Sequence, residues 1–121
     1  MLKAARKKKR LRSKADVLWF RLLLKRNPTC LLCGKPAQQV HHFFSKNTHG
    51  YLRCNLDNGI SLCRGCHFTL HHKDPSLSAE IVEIKGKEWY DSLKAKVQEK
   101  HYSFQTLGYY QKVIDELNKL K

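Results

Sequence analysis

Acidic side chains are scarce in this sequence: ten Asp and Glu stand against 24 Lys and Arg, a formal net charge of +14. The unbalanced field attracts polyanions and speeds their encounter. Long apolar runs are missing as well. None approaches the roughly 20 consecutive apolar residues that a membrane span requires. The run "VLWFRLLL", Val17 to Leu24, follows a basic stretch as a signal peptide's core would, but Arg21 interrupts it and no small-residue cleavage site follows. It reads as an amphipathic helix. No internal repeat or low-complexity linker is present, which excludes a repeat array. The cysteine count, five, is odd. Any disulfide scheme therefore leaves one thiol over, and a reduced compartment with a bound metal fits better. The expectation is a soluble, cytoplasmic protein without a membrane partner.

The positive charge is concentrated at the front. Residues 1–26 hold eleven Lys and Arg against one acid, Asp16. Lys7, Lys8, Lys9, Arg10 and Arg12 form its densest part and are candidate contacts to a nucleic-acid backbone. Attraction to a membrane surface is the competing use, but the basic block precedes the apolar run instead of facing it. At 121 residues the chain suits one domain. It divides into a basic helical segment (1–29), a cysteine- and histidine-rich centre (30–74) and C-terminal helices (75–121).

Residues 3–26 predict one helix or two, with Ser13 or Asp16 able to cap the second, and "NP" at 27–28 as the stop. The Val-His-His-Phe-Phe end of "AQQVHHFF" has strand composition, and "GISL" gives a second short strand. Residues 45–58 carry loop-forming side chains. A short helix over "RGCHFTLHHK" ends at Asp74-Pro75. The segment "SAEIVEIKGKEWYDSLKAKVQEK" is helical by periodicity, broken at Gly86, with Ile81, Ile84, Trp89 and Leu93 as candidate core residues. A last amphipathic helix covers "FQTLGYYQKVIDELNKL". The fold class is α+β, with a modest core that a metal staple would support.

Cys30-x2-Cys33 and Cys63-x2-Cys66 supply four thiolates, the ligand set of a closed tetrahedral structural Zn²⁺ site. Such a site contributes folding energy outright. A redox role would need one pair, not two. Cys54 lies outside the pattern and reads as a small loop or core residue. The 29 residues between the pairs exceed what a metal knuckle needs, and they hold most of the polar chemistry.

Cys66 and His67 are consecutive at a helix start, so their side chains diverge by about 100°. A fifth ligand on a tetrahedral zinc would be unusual, and His67 must serve something else. His71 follows four residues on along the same face, and imidazoles at that spacing can share one metal. His41 and His42 lie on the strand after the first knuckle, and Asn58 stands five residues before Cys63.

A His pair, an Asn and a His after CxxC, nested inside a four-cysteine frame, resemble the HNH endonucleases over Cys30 to about His71. The resemblance implies a zinc-stapled, treble-clef-like ββα-metal core, two short strands and a helix clasping one divalent cation, flanked here by N- and C-terminal helices. "HGYLRCNLDN", "CRGCH" and "GKEWYDSL" with the basic terminal helix are similar to the NinG-type phage recombination proteins, a branch of that superfamily. That branch has Gly before its catalytic His, where this chain has His41.

Carried over position by position, the likeness makes His42 the general base and Asn58 the residue that orients it, with a plain turn-forming role for Asn58 as the alternative. His41, His67 and His71 ligate the cation, with His72 as the alternative to His71. An imidazole-rich site favours Mn²⁺, Ni²⁺, Co²⁺ or Zn²⁺, and Mg²⁺ is compatible because substrate phosphate and water supply oxygens. One tension is built in: adjacent strand residues face opposite sides, so a regular strand would turn His41 away from the site of His42.

Arg53 and Arg64 are candidate phosphate contacts, or else solvated surface charges. His49, His72 and His101 read as loop or surface residues, and Trp19, Trp89, Tyr109 and Tyr110 as helix packing. The implied function is metal-dependent hydrolysis of DNA phosphodiester bonds, as nicks or double-strand cuts, in phage DNA recombination or processing. The substrate would be duplex or branched DNA, the protein a monomer or homodimer, and the compartment the host cytoplasm if phage-encoded. The competing class is a non-catalytic zinc-containing nucleic-acid-binding module.

Overall fold

A computed structural model describes residues 2–98 and 106–121. The first element, α1 (Leu2–Arg26), is one unbroken helix of 25 residues, about 37 Å long. Ser13 and Asp16 cap nothing. Asp16 sits mid-helix because its carboxylate has a partner elsewhere, the guanidinium of Arg53. Trp19, Leu22 and Leu23 are buried on the second half of α1, whereas the first half is largely exposed.

After α1 a tight turn carries the first cysteine pair. Gly34 adopts φ 77° there, a left-handed conformation that favours glycine, and its N–H closes the turn on the carbonyl of Cys30 at 2.9 Å. Two antiparallel strands follow, β1 (Gln39–His42) and β2 (Gly59–Leu62), with His41 opposite Ile60 and His42 opposite Gly59. The first strand ends at His42, so Phe43 and Phe44 lie beyond it. The connection is not featureless loop, for it contains two 3-10 turns, Gly50–Leu52 and Leu56–Asn58.

Next comes α2 (Arg64–His72), capped by the Cys63 sulfur, which accepts from the Cys66 N–H. Gly86, at φ 100°, separates α3 (Leu77–Lys85) from α4 (Lys87–Gln98). The last helix is α5 (Leu107–Lys119), capped by the Thr106 hydroxyl. Phe104 and Gln105, expected to open this helix, lie outside the described residues, as do the tail of the preceding helical segment (Glu99–Lys100) and His101. The described residues are thus α+β, five helices and a two-stranded sheet.

The sheet separates two apolar clusters. On one face Val40 packs with Trp19, Leu22 and Leu23 of α1 and Leu117 of α5. Cys54, half-buried, joins this cluster. On the other, Ile60 and Leu62 pack with Cys30, Leu70 of α2 and Ile81 of α3. Leu93 is buried and Trp89 half-buried as expected, but Ile84 is 53 % exposed and not part of the core. Ile84 lies in α3 three residues after Ile81, but no buried residue of either apolar cluster covers it. Among the described residues no helix is long and apolar enough to cross a membrane.

Candidate active site and metal centres

The two cysteine pairs meet beside the start of α2. The four sulfurs lie within 4.8 Å of one another, with those of Cys33 and Cys63 at 3.6 Å. Tetrahedral zinc with bonds near 2.3 Å needs sulfur separations of about 3.8 Å, so the set can hold a structural metal such as zinc. The Cys66 N–H donates to the Cys63 sulfur at 3.3 Å, and that backbone bond is the main cause pulling the Cys63 thiol down to about 7. Cys54 has no part in the cluster. Burial pushes its thiol up to about 12, as suits an inert packing residue.

A second convergence lies between β1 and α2. The Nδ1 of His41 is 3.3 Å from Nε2 of His67, which is 3.1 Å from Nε2 of His71. These are close to the ligand separations, about 3.0–3.4 Å, of an octahedral or tetrahedral ion with metal–nitrogen bonds near 2.1 Å. The donor set therefore fits a divalent transition metal. His71 rather than His72 completes the group; His72 is exposed and tilts against Phe68. Burial, reinforced by the His67 and His71 rings, pushes His41 down to about 3, and burial also lowers His67. Both are therefore neutral near pH 7, the form that binds metals.

Gln39 fixes the tautomer of His67. Its Oε1 accepts from Nδ1 of His67 at 2.5 Å, which leaves the Nε2 lone pair directed at the other imidazoles. Such outer partners orient metal-binding histidines. Gln39 was not among the residues the sequence pattern singled out, yet strand periodicity offered a signal: it stands two residues before His41 and shares its face.

The strand is regular through His42, and its two histidines do face opposite sides. It is His42, and not His41, that turns away from the imidazole cluster. His41 turns towards α2 and the other imidazoles, while His42 turns towards α1. Its Nε2 donates to the carbonyl of Arg53 at 2.9 Å, and its ring lies against Trp19, centroids 4.2 Å apart and planes 12° apart. A carbonyl only accepts, so the neutral ring keeps its lone pair on Nδ1. Burial holds His42 below the ordinary imidazole range. Despite their opposite directions His41 and His42 line one cleft of about 510 Å³, together with His67, His71, Lys46 and the α1 side chains Val17 and Phe20.

Asn58 is fully buried and is more than a turn former. Its Oδ1 accepts from the Phe44 N–H at 2.8 Å, and its Nδ2 donates to the carbonyls of Phe44 at 3.0 Å and Leu52 at 3.2 Å. It thereby ties the chain just after His42 to the loop that carries Arg53.

The basic residues separate into two groups. Lys7, Lys9, Arg10 and Arg64 are exposed and Lys8 and Arg12 partly so. Arg53 is different: one edge of its guanidinium, Nε and Nη2, donates to the Asp16 carboxylate at 2.8 and 2.7 Å, and its side chain is 20 % exposed. It forms an ion pair within the fold, which those other basic residues do not. His49 packs edge-on to Phe44, and Tyr110 is buried against α1 as expected.

No protein-family profile matches the chain, and no solved structure matches it. An alignment 67 positions long that covers 51 % of this chain is 33 % identical to a mitochondrial DNA mismatch repair protein, a mutS homologue, from Sarcophyton glaucum. The match spans 7 % of that relative's length.

Proposed function

We propose that this chain is an HNH-type phosphodiesterase, a metal-dependent DNA endonuclease whose base is His42. The observation that carries the reading is the sharing of one cleft by a three-imidazole cluster and a fourth, separately anchored imidazole. Hydrolysis needs an attacking water, a group to take its proton, and positive charge beside the phosphate and the departing oxygen. The Nδ1 of His42 takes the proton; a positioned base of this kind is worth on the order of 10²–10⁴ in rate. His41, His67 and His71 hold the divalent cation, which when bound supplies the positive charge. Asn58 keeps the strand end and the loop in register so that His42 stays aimed.

DNA as the substrate is supported by the charge on α1. Its first turn contains no acid, although acids there would suit the helix dipole. Cations at that end give up helix stability, and phosphate binding accounts for that cost. The matched relative's name, a DNA mismatch repair protein, agrees with this substrate class. The cysteine site holds zinc as a brace, and the enzyme works in the cytoplasm.

The test is plasmid cleavage with added Mn²⁺ or Mg²⁺ against an EDTA control. Metal-dependent nicking is expected, abolished in His42→Ala while folding and DNA binding persist. Cleavage that survives His42→Ala overturns the base assignment. Salt-sensitive binding without any nicking identifies instead a non-catalytic zinc module.

A further inference from the structure

The segment that resembles a nuclease begins at Cys30, yet the ring assigned as the base is held from outside it. We propose that Asp16 and Trp19, both on α1, are positioning residues for His42, so that the helix carrying the basic charge also assembles the active site. The proposal rests on the hydrolytic reading for its catalytic meaning, and on geometry for its content.

Asp16 and Trp19 are three residues apart and therefore share a face of the helix. Trp19 fixes the plane of the His42 imidazole by lying nearly parallel to it. The indole is itself pinned, its N–H donating to the carbonyl of Asn55 at 2.9 Å. Asp16 acts one step further away. It grips Arg53 through two parallel hydrogen bonds, a geometry with high directional specificity. The carbonyl of that same Arg53 anchors Nε2 of His42. The ring is thus held by one face and one edge, and its tautomer is set by the residue that Asp16 immobilises.

Other uses of these side chains fit poorly. Trp19 is 2 % exposed, too covered to stack on a base. The Nε and Nη2 edge of Arg53 is already engaged by Asp16, so that edge is not open to a phosphate. Gly59 completes the arrangement: a Cβ there would stand 2.8 Å from the indole, so glycine is what lets Trp19 reach its place over His42.

Three variants test this: Asp16→Asn, Trp19→Leu and Trp19→Phe. The first two should lower kcat on the order of 10- to 100-fold, the scale of a misaligned reacting group. KM for plasmid and the affinity for Mn²⁺ should stay at wild-type values, while Asp16→Asn, which leaves the Arg53 charge unpaired, should melt at a lower temperature but remain folded under the assay conditions. Trp19→Phe, which keeps a flat ring, should retain most of kcat. Imidazole nitrogen NMR of the wild type should show His42 protonated on Nε2 alone, and Asp16→Asn should show both tautomers. Wild-type kcat in Asp16→Asn and Trp19→Leu, or a His42 tautomer that Asp16→Asn leaves unmoved, overturns the proposal. If the wild type cuts nothing, the hydrolytic reading fails, and the tautomer measurement alone decides whether α1 positions the ring.

Discussion

Asn58 holds Phe44 by both backbone groups, accepting from its N–H and donating to its carbonyl. With the third bond to Leu52, three of the contacts that close the loop onto the end of β1 come from one fully buried amide. Asn58→Asp keeps the shape but replaces the donor by an acceptor facing two carbonyls. Each buried group left unsatisfied costs about 1–3 kcal/mol. A clear fall in melting temperature is expected, larger for Asn58→Asp than for Asn58→Ser, together with loss of cleavage. A melt unchanged in Asn58→Asp would show that the loop is closed by other means.

The contact of α1 with the sheet depends on Gly59. A Cβ at this position would lie 2.3 Å from the Leu23 methyl, 2.8 Å from Trp19 and 3.1 Å from Val40. None can retreat freely, because all three are core residues of one cluster. Gly59→Ala should therefore destabilise the fold by about 1–3 kcal/mol, the usual cost of overpacking, read as a lower midpoint in urea with the slope unchanged.

The zinc brace predicts a stoichiometry. Mass spectrometry of the purified protein under native conditions should find one tightly held Zn²⁺ that survives dialysis. Cys63→Ser should lose it and melt at a lower temperature, since the binding energy of a structural metal adds to folding energy. Cys54→Ser should keep it. Retention of zinc by Cys63→Ser would remove the four-cysteine assignment.

His41 makes stability depend on pH in a fixed direction. Its folded-state value, about 3, lies below the unfolded value near 6.5, so the unfolded chain takes up a proton that the folded one refuses. The stabilisation is fully present above about pH 6.5 and is lost as pH falls from there towards 3, at up to about 1.4 kcal/mol per pH unit for one proton. His41→Phe should flatten the pH 5 to 7 part of the stability curve, measured with metal absent from the imidazole site. An unchanged slope in that variant would assign the dependence to another group.

The basic arm predicts salt-dependent binding. Deleting residues 2–10 removes six cations, and log K for duplex DNA should then fall less steeply with log salt, by up to about 5 in slope. An identical slope after the deletion would move the DNA contact elsewhere on the chain.

What the sequence made legible follows from how local each signal is. The cysteine spacings and the His67–His71 repeat are written within one turn of chain, and Gly86 breaks its helix where it stands. Asn58 reads equally as a turn former, because its partner Phe44 is 14 positions away. Pairings across the fold were hidden. Asp16 looks like a helix cap until Arg53, 37 positions away, provides its partner, and that partner explains why α1 runs unbroken. Arg53 looks like a phosphate ligand for the same reason. Ile84 has the periodicity of a core residue, but whether another element covers it depends on tertiary packing, which periodicity does not reveal. Trp19 reads as packing, which it is; that it packs on His42 depends on the close approach at Gly59.

The most direct measurement is anomalous diffraction from a crystal grown with Mn²⁺, collected above and below the manganese edge. The account predicts an edge-specific peak bounded by Nδ1 of His41 and the Nε2 atoms of His67 and His71, with His42 outside its coordination. Well-ordered rings with no such peak among them, or a peak that His42 ligates, would contradict it.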